Sequence, residues 1–361
     1  MKRILLALVA MLLTITAVTA IPRVWDPDPV YGSNLQSAPL LSDETIAAID
    51  TYLKNDSERV EVVMALKDGK SIYEYGDTEL IMNGASTRKA ILSLLYGIAV
   101  DQGLIDLDKT LADLNIDENT PLTDQEKSAT VRDLLMTRSG VYLPAEGEHD
   151  NQITDRPKRG SHLPGEFFFI NNFDYNVLGT IFIQETGQQI GQFMQKHLAE
   201  PLGMQDFDEN NVIMGDPWFM PGNGSRHEMY YMYTSARDFA RIGAMVANGG
   251  MWHGKQVVPA EWIALSTAPL SEITGDFRYT AAGYVWFLDE RANTVWTDGY
   301  GGHYMLIDPE RNLTVVQRNF TGNSLLSTGL WLMKPDRNAA HPRYMIQAYE
   351  MMIKDLDRLE N

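Results

Sequence analysis

A serine and a lysine three residues apart, in Ser86-Thr87-Arg88-Lys89, form the one S-x-x-K of this 361-residue chain. Residues three apart on a helix lie on one face, one turn apart, so the lysine amine can reach the serine oxygen. A lysine taken out of water loses its proton more readily, because burial disfavours the charged form, and a neutral amine can then accept the serine proton. Such a pair arises about once by chance in a chain of this length, so its setting carries the argument. The run that follows, from Ala90 to Val100, is apolar on nearly every face, as in a helix buried within a domain. Gly84 and Ala85 before the serine allow close backbone approach. A helix start also offers free N–H groups where an oxyanion would form.

The chemistry this pair would replace is limited by composition. The chain has no cysteine, which removes disulfides, thiolate metal sites and a cysteine nucleophile. Its seven histidines (149, 162, 197, 227, 253, 303 and 341) show no H-E-x-x-H or other ligand spacing, so zinc is poorly supported, and hydrolysis by a serine–lysine pair implies no metal or organic cofactor. Lys2 and Arg3 precede an apolar run from Ile4 to Val18, and Val18-Thr19-Ala20 has the small residues of a cleavage site. Residues 1–20 therefore read as a secretory signal peptide of bacterial type, and the mature chain as exported, periplasmic or secreted. The run is short of the roughly 20 apolar residues of a spanning helix and contains Thr14 and Thr16. The full sequence carries a net charge of −18, and losing the leader makes it more acidic, which argues against nucleic acid and anionic membrane as partners.

The elements that must position Ser86 and Lys89 come from both ends of the chain. Ser42 caps a helix running to Lys54. VVMALKDGKSIYEYG reads as two strands joined at Asp68-Gly69, a strong hairpin signal. YVWFL, YMLIDP and LTVVQRNF are three further strand-like runs, and a last helix spans about Pro342 to Leu359. The middle is helical, with segments at 130–137, 173–186, 189–199 and 234–248. This order predicts an α/β fold in which an antiparallel sheet from both chain ends (42–84 plus 251–361) is flanked by helices and carries an inserted, mostly helical domain (85–250).

Set against this layout, the chain resembles the serine β-lactamase and penicillin-binding superfamily, in its class C β-lactamase-like branch of esterases, D-amino-acid peptidases and 6-aminohexanoate-oligomer hydrolases. The resemblance runs from about residue 45 to 320. It rests on GASTRKAILSLLYGIAVDQGLIDLDKTL around Ser86, TVRDLLMTRSGV from Thr130, LPGEFFFINNFDYNVLGTIFIQETG from Leu163, LAEPLGMQDF from Leu198 and TSARDFARIGAMVANGGMW from Thr234. It implies a β-lactamase/DD-peptidase-like fold, with Ser86 as nucleophile between a sheet domain and a helical domain and Lys89 as its base. The family's second motif, Tyr-x-Asn, matches Asn172, but its tyrosine position holds Ile170. Its third motif, Lys-Thr-Gly or His-x-Gly, corresponds to Gly299-Tyr300-Gly301 and lacks the cation.

Several residues are candidates to make up for these losses. Tyr300 would supply a phenol from the wall facing Ser86, Tyr142 would line the pocket, and His303 would replace the missing cation or else point away along the strand. Tyr175 is expected in the core, and Glu166 and Asp174 at solvated positions. Aromatic residues at 167–169, 173, 175, 218, 219, 230, 231, 233 and 286 suit an apolar acyl or aryl ester better than a carboxylate-bearing β-lactam. Two readings follow. One is a serine hydrolase cleaving a small-molecule ester or amide through a Ser86 acyl-enzyme, with Asn172 and Gly301 in the substrate site. The other is a catalytically impaired binding or regulatory paralogue, marked by Ile170.

Overall fold

The computed structural model describes residues 34–55, 60–215, 225–276, 278–322, 330, 333 and 341–360. The expected leader at 1–20 and the aromatic residues Trp218 and Phe219 lie outside them. Helix α1 (Asp43–Lys54) starts at Ser42, whose hydroxyl accepts from the Thr45 N–H at 3.3 Å. The hairpin β1 (Val62–Lys67) and β2 (Lys70–Tyr75) turns at Asp68-Gly69, both in the left-handed region. A short strand β3 (Met82–Asn83) leads into α2 (Thr87–Asp101). The helical part follows with α3 (Asp124–Lys127), α4 (Val131–Leu135), α5 (Asp150–Thr154), α6 (Asn172–Thr186), α7 (Ile190–Met194) and α8 (Glu200–Leu202). A single π turn, Gln195–Ala199, joins the last two. Then come β4 (Val212–Met214), β5 (Tyr230–Thr234), α9 (Ala236–Ala247), the ribbon β6 (Met251–Trp252) and β7 (Lys255–Gln256), and α10 (Ala260–Ser266). The chain closes with β8 (Ser271–Glu272), β9 (Ala281–Ala282), β10 (Phe287–Asp289), β11 (Thr294–Gly299), β12 (His303–Asp308), β13 (Leu313–Arg318) and α11 (Arg343–Glu360).

Eight strands form one antiparallel sheet in the order β2-β1-β13-β12-β11-β10-β9-β8, so the two ends of the chain meet where β1 pairs with β13, Val62 opposite Arg318. Alternation along the strands sorts side chains to two faces. Val63 and Ala65, with Leu313 and Val315, pack beneath Ile49 and Leu53 of α1 and Tyr344, Met345 and Met352 of α11. Val62, Met64 and Leu66, with Met305, Ile307 and Val316, face the larger core that holds α2 and α9. Because both faces are covered, β1, β12 and β13 are buried almost throughout, which explains their unbroken apolar runs.

Helix α9 falls inside the 85–250 segment that the sequence pattern treats as helical domain, yet it lies against the sheet. A Cβ on Gly243 would overlap the Thr314 methyl, so this helix approaches the strands at glycine distance. An alanine there is expected to cost about 1–3 kcal/mol of overpacking. The YVWFL run is also mostly not strand. Val285 takes a positive φ, and pairing begins only at Phe287.

Candidate active site

The turn that carries Ser86 leaves a three-stranded side sheet, β3-β5-β4, and enters α2. The Gly84 N–H donates to the Met232 carbonyl at 2.9 Å, and the Thr87 N–H and hydroxyl both donate back to the Gly84 carbonyl, at 3.1 and 2.8 Å. Ala85, held by its N–H on Asn83 Oδ1 at 2.9 Å, sits at φ 48, a conformation that an L-residue keeps only when its surroundings over-determine it. Ser86 is the N-cap rather than the first residue of α2. It has helical dihedrals and its side chain caps nothing, so the hydroxyl is left to the cleft. Among the described residues its backbone N–H also has no acceptor.

Lys89, in the first turn of α2, is buried. Its Nζ donates to Asn172 Oδ1 at 2.9 Å and lies 4.1 Å from the centre of the Tyr175 ring. No carboxylate among the described residues forms an ion pair with it. Burial pushes the ammonium well below the ordinary lysine range and the Arg88 guanidinium pushes it further, with Asp298 opposing. The Ser86–Lys89 hydrogen bond expected from the spacing is not formed. A fixed carbonyl oxygen and an aromatic face give the amine partners in the interior, while the half-buried serine hydroxyl faces the cleft.

Asn172 opens α6. Its Nδ2 donates to the Gly147 and Glu146 carbonyls at 2.5 and 3.3 Å, which turns Oδ1 toward the lysine. Gln152 Nε2 reinforces this, donating to the Ile170 carbonyl at 2.9 Å and to Asn172 Oδ1 at 3.4 Å. Across the cleft, β11 ends at Asp298-Gly299. A Cβ on Gly299 would stand 2.5 Å from the Gly84 carbonyl oxygen, so only glycine lets this strand seat against the Ser86 turn. Tyr300 follows, 40% exposed, its ring 4.9 Å from that of His149. Gly301 carries the turn into β12 at φ 90.

A cleft of about 600 Å³ is lined by Ser86, Lys89, Ile170, Tyr175, Asp298 and Tyr300, among others; Asn172 and Gly301 are not in its lining, and Asn172 acts on it through the Lys89 amine. Phe167, Phe168 and Phe169 line one side, and Tyr279, Trp286 and Phe287 another. The described residues contain no group of three or more histidines and carboxylates placed to hold a metal. The arrangement brings together a hydroxyl at a helix start, a desolvated amine one turn on and backbone N–H groups, a set suited to acyl transfer.

With this geometry in place, comparison with known proteins is informative. Residues 47–317 match the family model described as Beta-lactamase. The chain belongs to the beta-lactamase family. An uncharacterized protein of Alkalihalophilus pseudofirmus, BpOF4_21049, is 25% identical over 254 residues, covering 64% of this chain and 71% of that one. Protein flp of Staphylococcus aureus (strain MRSA252) is 22% identical over 76% of this chain, which spans only 63% of that relative's length. Among solved structures, a Bacillus anthracis protein described as a 6-aminohexanoate-dimer hydrolase aligns with a TM-score of 0.64 at 17% identity, over 95% of this chain and 92% of its own. A family VIII carboxylesterase aligns at 0.58 and 16%, over 87% and 98%. At these identities the likeness is one of fold, that of the serine β-lactamase and penicillin-binding superfamily.

The beta-lactamase-family site departs from the sequence reading at several residues. Tyr142 does not reach the cleft. It is buried, with its hydroxyl on His162 Nδ1 at 3.2 Å and its ring edge-on to Phe169. His303 is fully buried on the face of β12 that carries the Ser86 turn, opposite Gly299, and is enclosed there. Its Nδ1 accepts from Arg318 Nε at 3.0 Å, and burial beside that cation holds its pKa well down, so it brings no charge to the cleft. Asp174 is buried rather than solvated. It accepts from Ser139 Oγ at 2.5 Å and from Asn171, and burial raises its pKa well above the carboxylate range. Tyr175 is both core and cleft wall, because its ring covers the lysine. Glu166 is exposed, as expected, and accepts from the Leu163 N–H.

Arg88, Gln152 and the ion cluster at Arg278 escaped the sequence reading. Arg88 is buried, with one N–H on the Ala85 carbonyl at 3.0 Å and its guanidinium 4.9 Å from the Tyr230 ring centre. A helix apolar on every face was the available signal, since any cation on it must be buried.

Proposed function

We propose that this chain is an exported serine hydrolase acting on an ester or amide through a Ser86 acyl-enzyme, with Lys89 as base. The observation that carries the reading is the buried Lys89 amine, paired with a neutral carbonyl oxygen and with no described carboxylate, in the same cleft as a hydroxyl that caps nothing. Deprotonated, Lys89 takes the Ser86 proton as Oγ bonds to the substrate carbonyl carbon. The resulting oxyanion is met by the Ser86 and Gly301 N–H groups. Collapse breaks the bond to the alcohol or amine, which leaves with the proton from Lys89. Water then attacks the acyl-enzyme, giving its proton to Lys89, and collapse breaks the bond to Ser86 Oγ, which takes that proton back as the acid is released and Lys89 returns to its neutral form. Asn172 keeps the amine in place, and Tyr300 lines the substrate side. Hydrolysis of a chromogenic short-chain ester, lost in Ser86→Ala, tests the reading; equal rates for wild type and variant would refute it.

A second reading has one observation in its favour. Ile170 is 39% exposed in the cleft wall, where the family's second motif places a tyrosine. An isoleucine carries no proton, and loss of a general acid–base group typically costs 10²- to 10⁴-fold in rate. On that reading the cleft binds a ligand without turning it over, and wild type would match Ser86→Ala in the ester assay.

A further inference from the structure

One part of the cleft plays no role in that chemistry. Arg278, the guanidinium of its lining, is already engaged: Asp298 holds it at 2.6 Å and Asp276 at 3.1 Å. Asp276 also accepts the Arg278 backbone N–H at 2.7 Å, the Tyr279 hydroxyl donates to Asp298 at 3.2 Å, and the guanidinium lies 4.7 Å from the centre of the Tyr279 ring. Asp298 is fixed in turn by its neighbour Gly299, seated against the nucleophile turn. All four residues of the cluster line the cleft, with Asp155 as a third carboxylate at the exposed rim.

A substrate carboxylate entering here would have to displace one of the chain's own carboxylates from a fork that already has two, leaving a negative group unpaired beside it. An ammonium meets carboxylates with lone pairs to spare and the half-buried ring of Phe287, which is backed by buried Tyr279 stacked at 4.6 Å. We propose that the Asp276–Arg278–Asp298 cluster is a charge lock that sets specificity, admitting ammonium-bearing or neutral substrates and rejecting carboxylate-bearing ones. The turnover arm of its test rests on the hydrolase reading; the affinity arm does not.

Three 4-nitrophenyl esters of matched length, ending in a methyl, a trimethylammonium or a carboxylate group, are compared in about 0.5 M salt, where the long-range field of an acidic chain is screened. The cationic ester is expected to exceed the anionic one in kcat/KM by about tenfold or more. Asp276→Asn together with Asp298→Asn, which releases the guanidinium, should move that ratio by about tenfold toward the anion. Asp276→Asn alone, at a partly exposed side chain, serves if the double variant fails to fold. If no ester is hydrolysed, the hydrolase reading fails, and calorimetric affinities for hexylammonium, hexanamide and hexanoate decide the lock with the same expected order. Equal or better use of the anion by wild type, or a ratio that the variants leave unmoved, overturns the proposal.

Discussion

Two helices of this fold bury cations, and they do so in opposite ways. In α9, Arg241 is paired with buried Asp238 at 2.7 Å and with Gln205 Oε1 at 2.7 Å, while Asp238 also accepts the Gln205 and Asp206 N–H groups at 2.8 and 2.7 Å. In α2, Lys89 has, among the described residues, a carbonyl oxygen and a ring face and no carboxylate. Its neighbour Arg88 has one backbone carbonyl and a ring face, with Nε and Nη2 left without partners. A buried cation with a hydrogen-bonded carboxylate stays charged and braces the structure. A lysine without one, beside a guanidinium that stays charged, is shifted toward its neutral form. The second arrangement is a poor way to hold a fold together and a good way to make a base.

Exchanging the two cations for methionine should separate stability from rate. Lys89→Met is expected to lower kcat/KM by about 10³-fold or more while leaving the melting temperature unchanged or higher, since it removes an uncompensated buried amine. It should also flatten the pH dependence of stability. Native Lys89 binds its proton less tightly than the unfolded chain does, so wild-type stability rises with pH as the unfolded lysine keeps a proton the native one has lost. Arg241→Met should do the reverse, losing about 3–5 kcal/mol by stranding Asp238, with normal rate per folded molecule. Urea denaturation and initial-rate assays on the same preparations check both.

Smaller changes sharpen the account. Asn172→Leu removes the lysine's acceptor and should lower kcat/KM by about tenfold. Ile170→Tyr should raise ester hydrolysis by about tenfold with little change in melting temperature, because it adds a proton carrier at a cleft wall. If Tyr300→Phe abolishes wild-type activity, the proton relay runs from the opposite wall. The smallest expected effect is that of Arg88→Met. Without the adjacent cation Lys89 keeps its proton to higher pH, so the acid limb of the pH–rate profile should move toward alkaline pH.

The sequence was most legible where local chemistry dictates structure. The Ser42 cap and the Asp68-Gly69 turn appear as their residues require, and the helical segment from Thr130 forms as α4. The S-x-x-K setting and Asn172 were legible too, because the apolar run of α2 implied burial and Asn172 stands two residues after Ile170 in the family's pattern. What could not be read depends on contacts distant in sequence. The edge strands β8 and β9 are two residues long and exist only through their partners. Asp174 sits at a helix start that is ordinarily solvated, and only the placement of Ser139 and Asn171 shows that it is enclosed. His303 sits on the face of β12 nearest the Ser86 turn but is enclosed against Arg318, and loop packing on His162 and Phe169 keeps Tyr142 out of the cleft.

The central claim is that Ser86 is the nucleophile and that Lys89, neutral because it is buried without a carboxylate, activates it. The rate of labelling by a fluorophosphonate, followed across pH with mass mapping of the adduct, tests both halves at once. A single adduct on Ser86, absent in Ser86→Ala, with a rate that rises with pH and reaches its plateau well below the ordinary lysine range, is the predicted result. An adduct elsewhere, no adduct, or a rate that climbs only as free lysine titrates would contradict it.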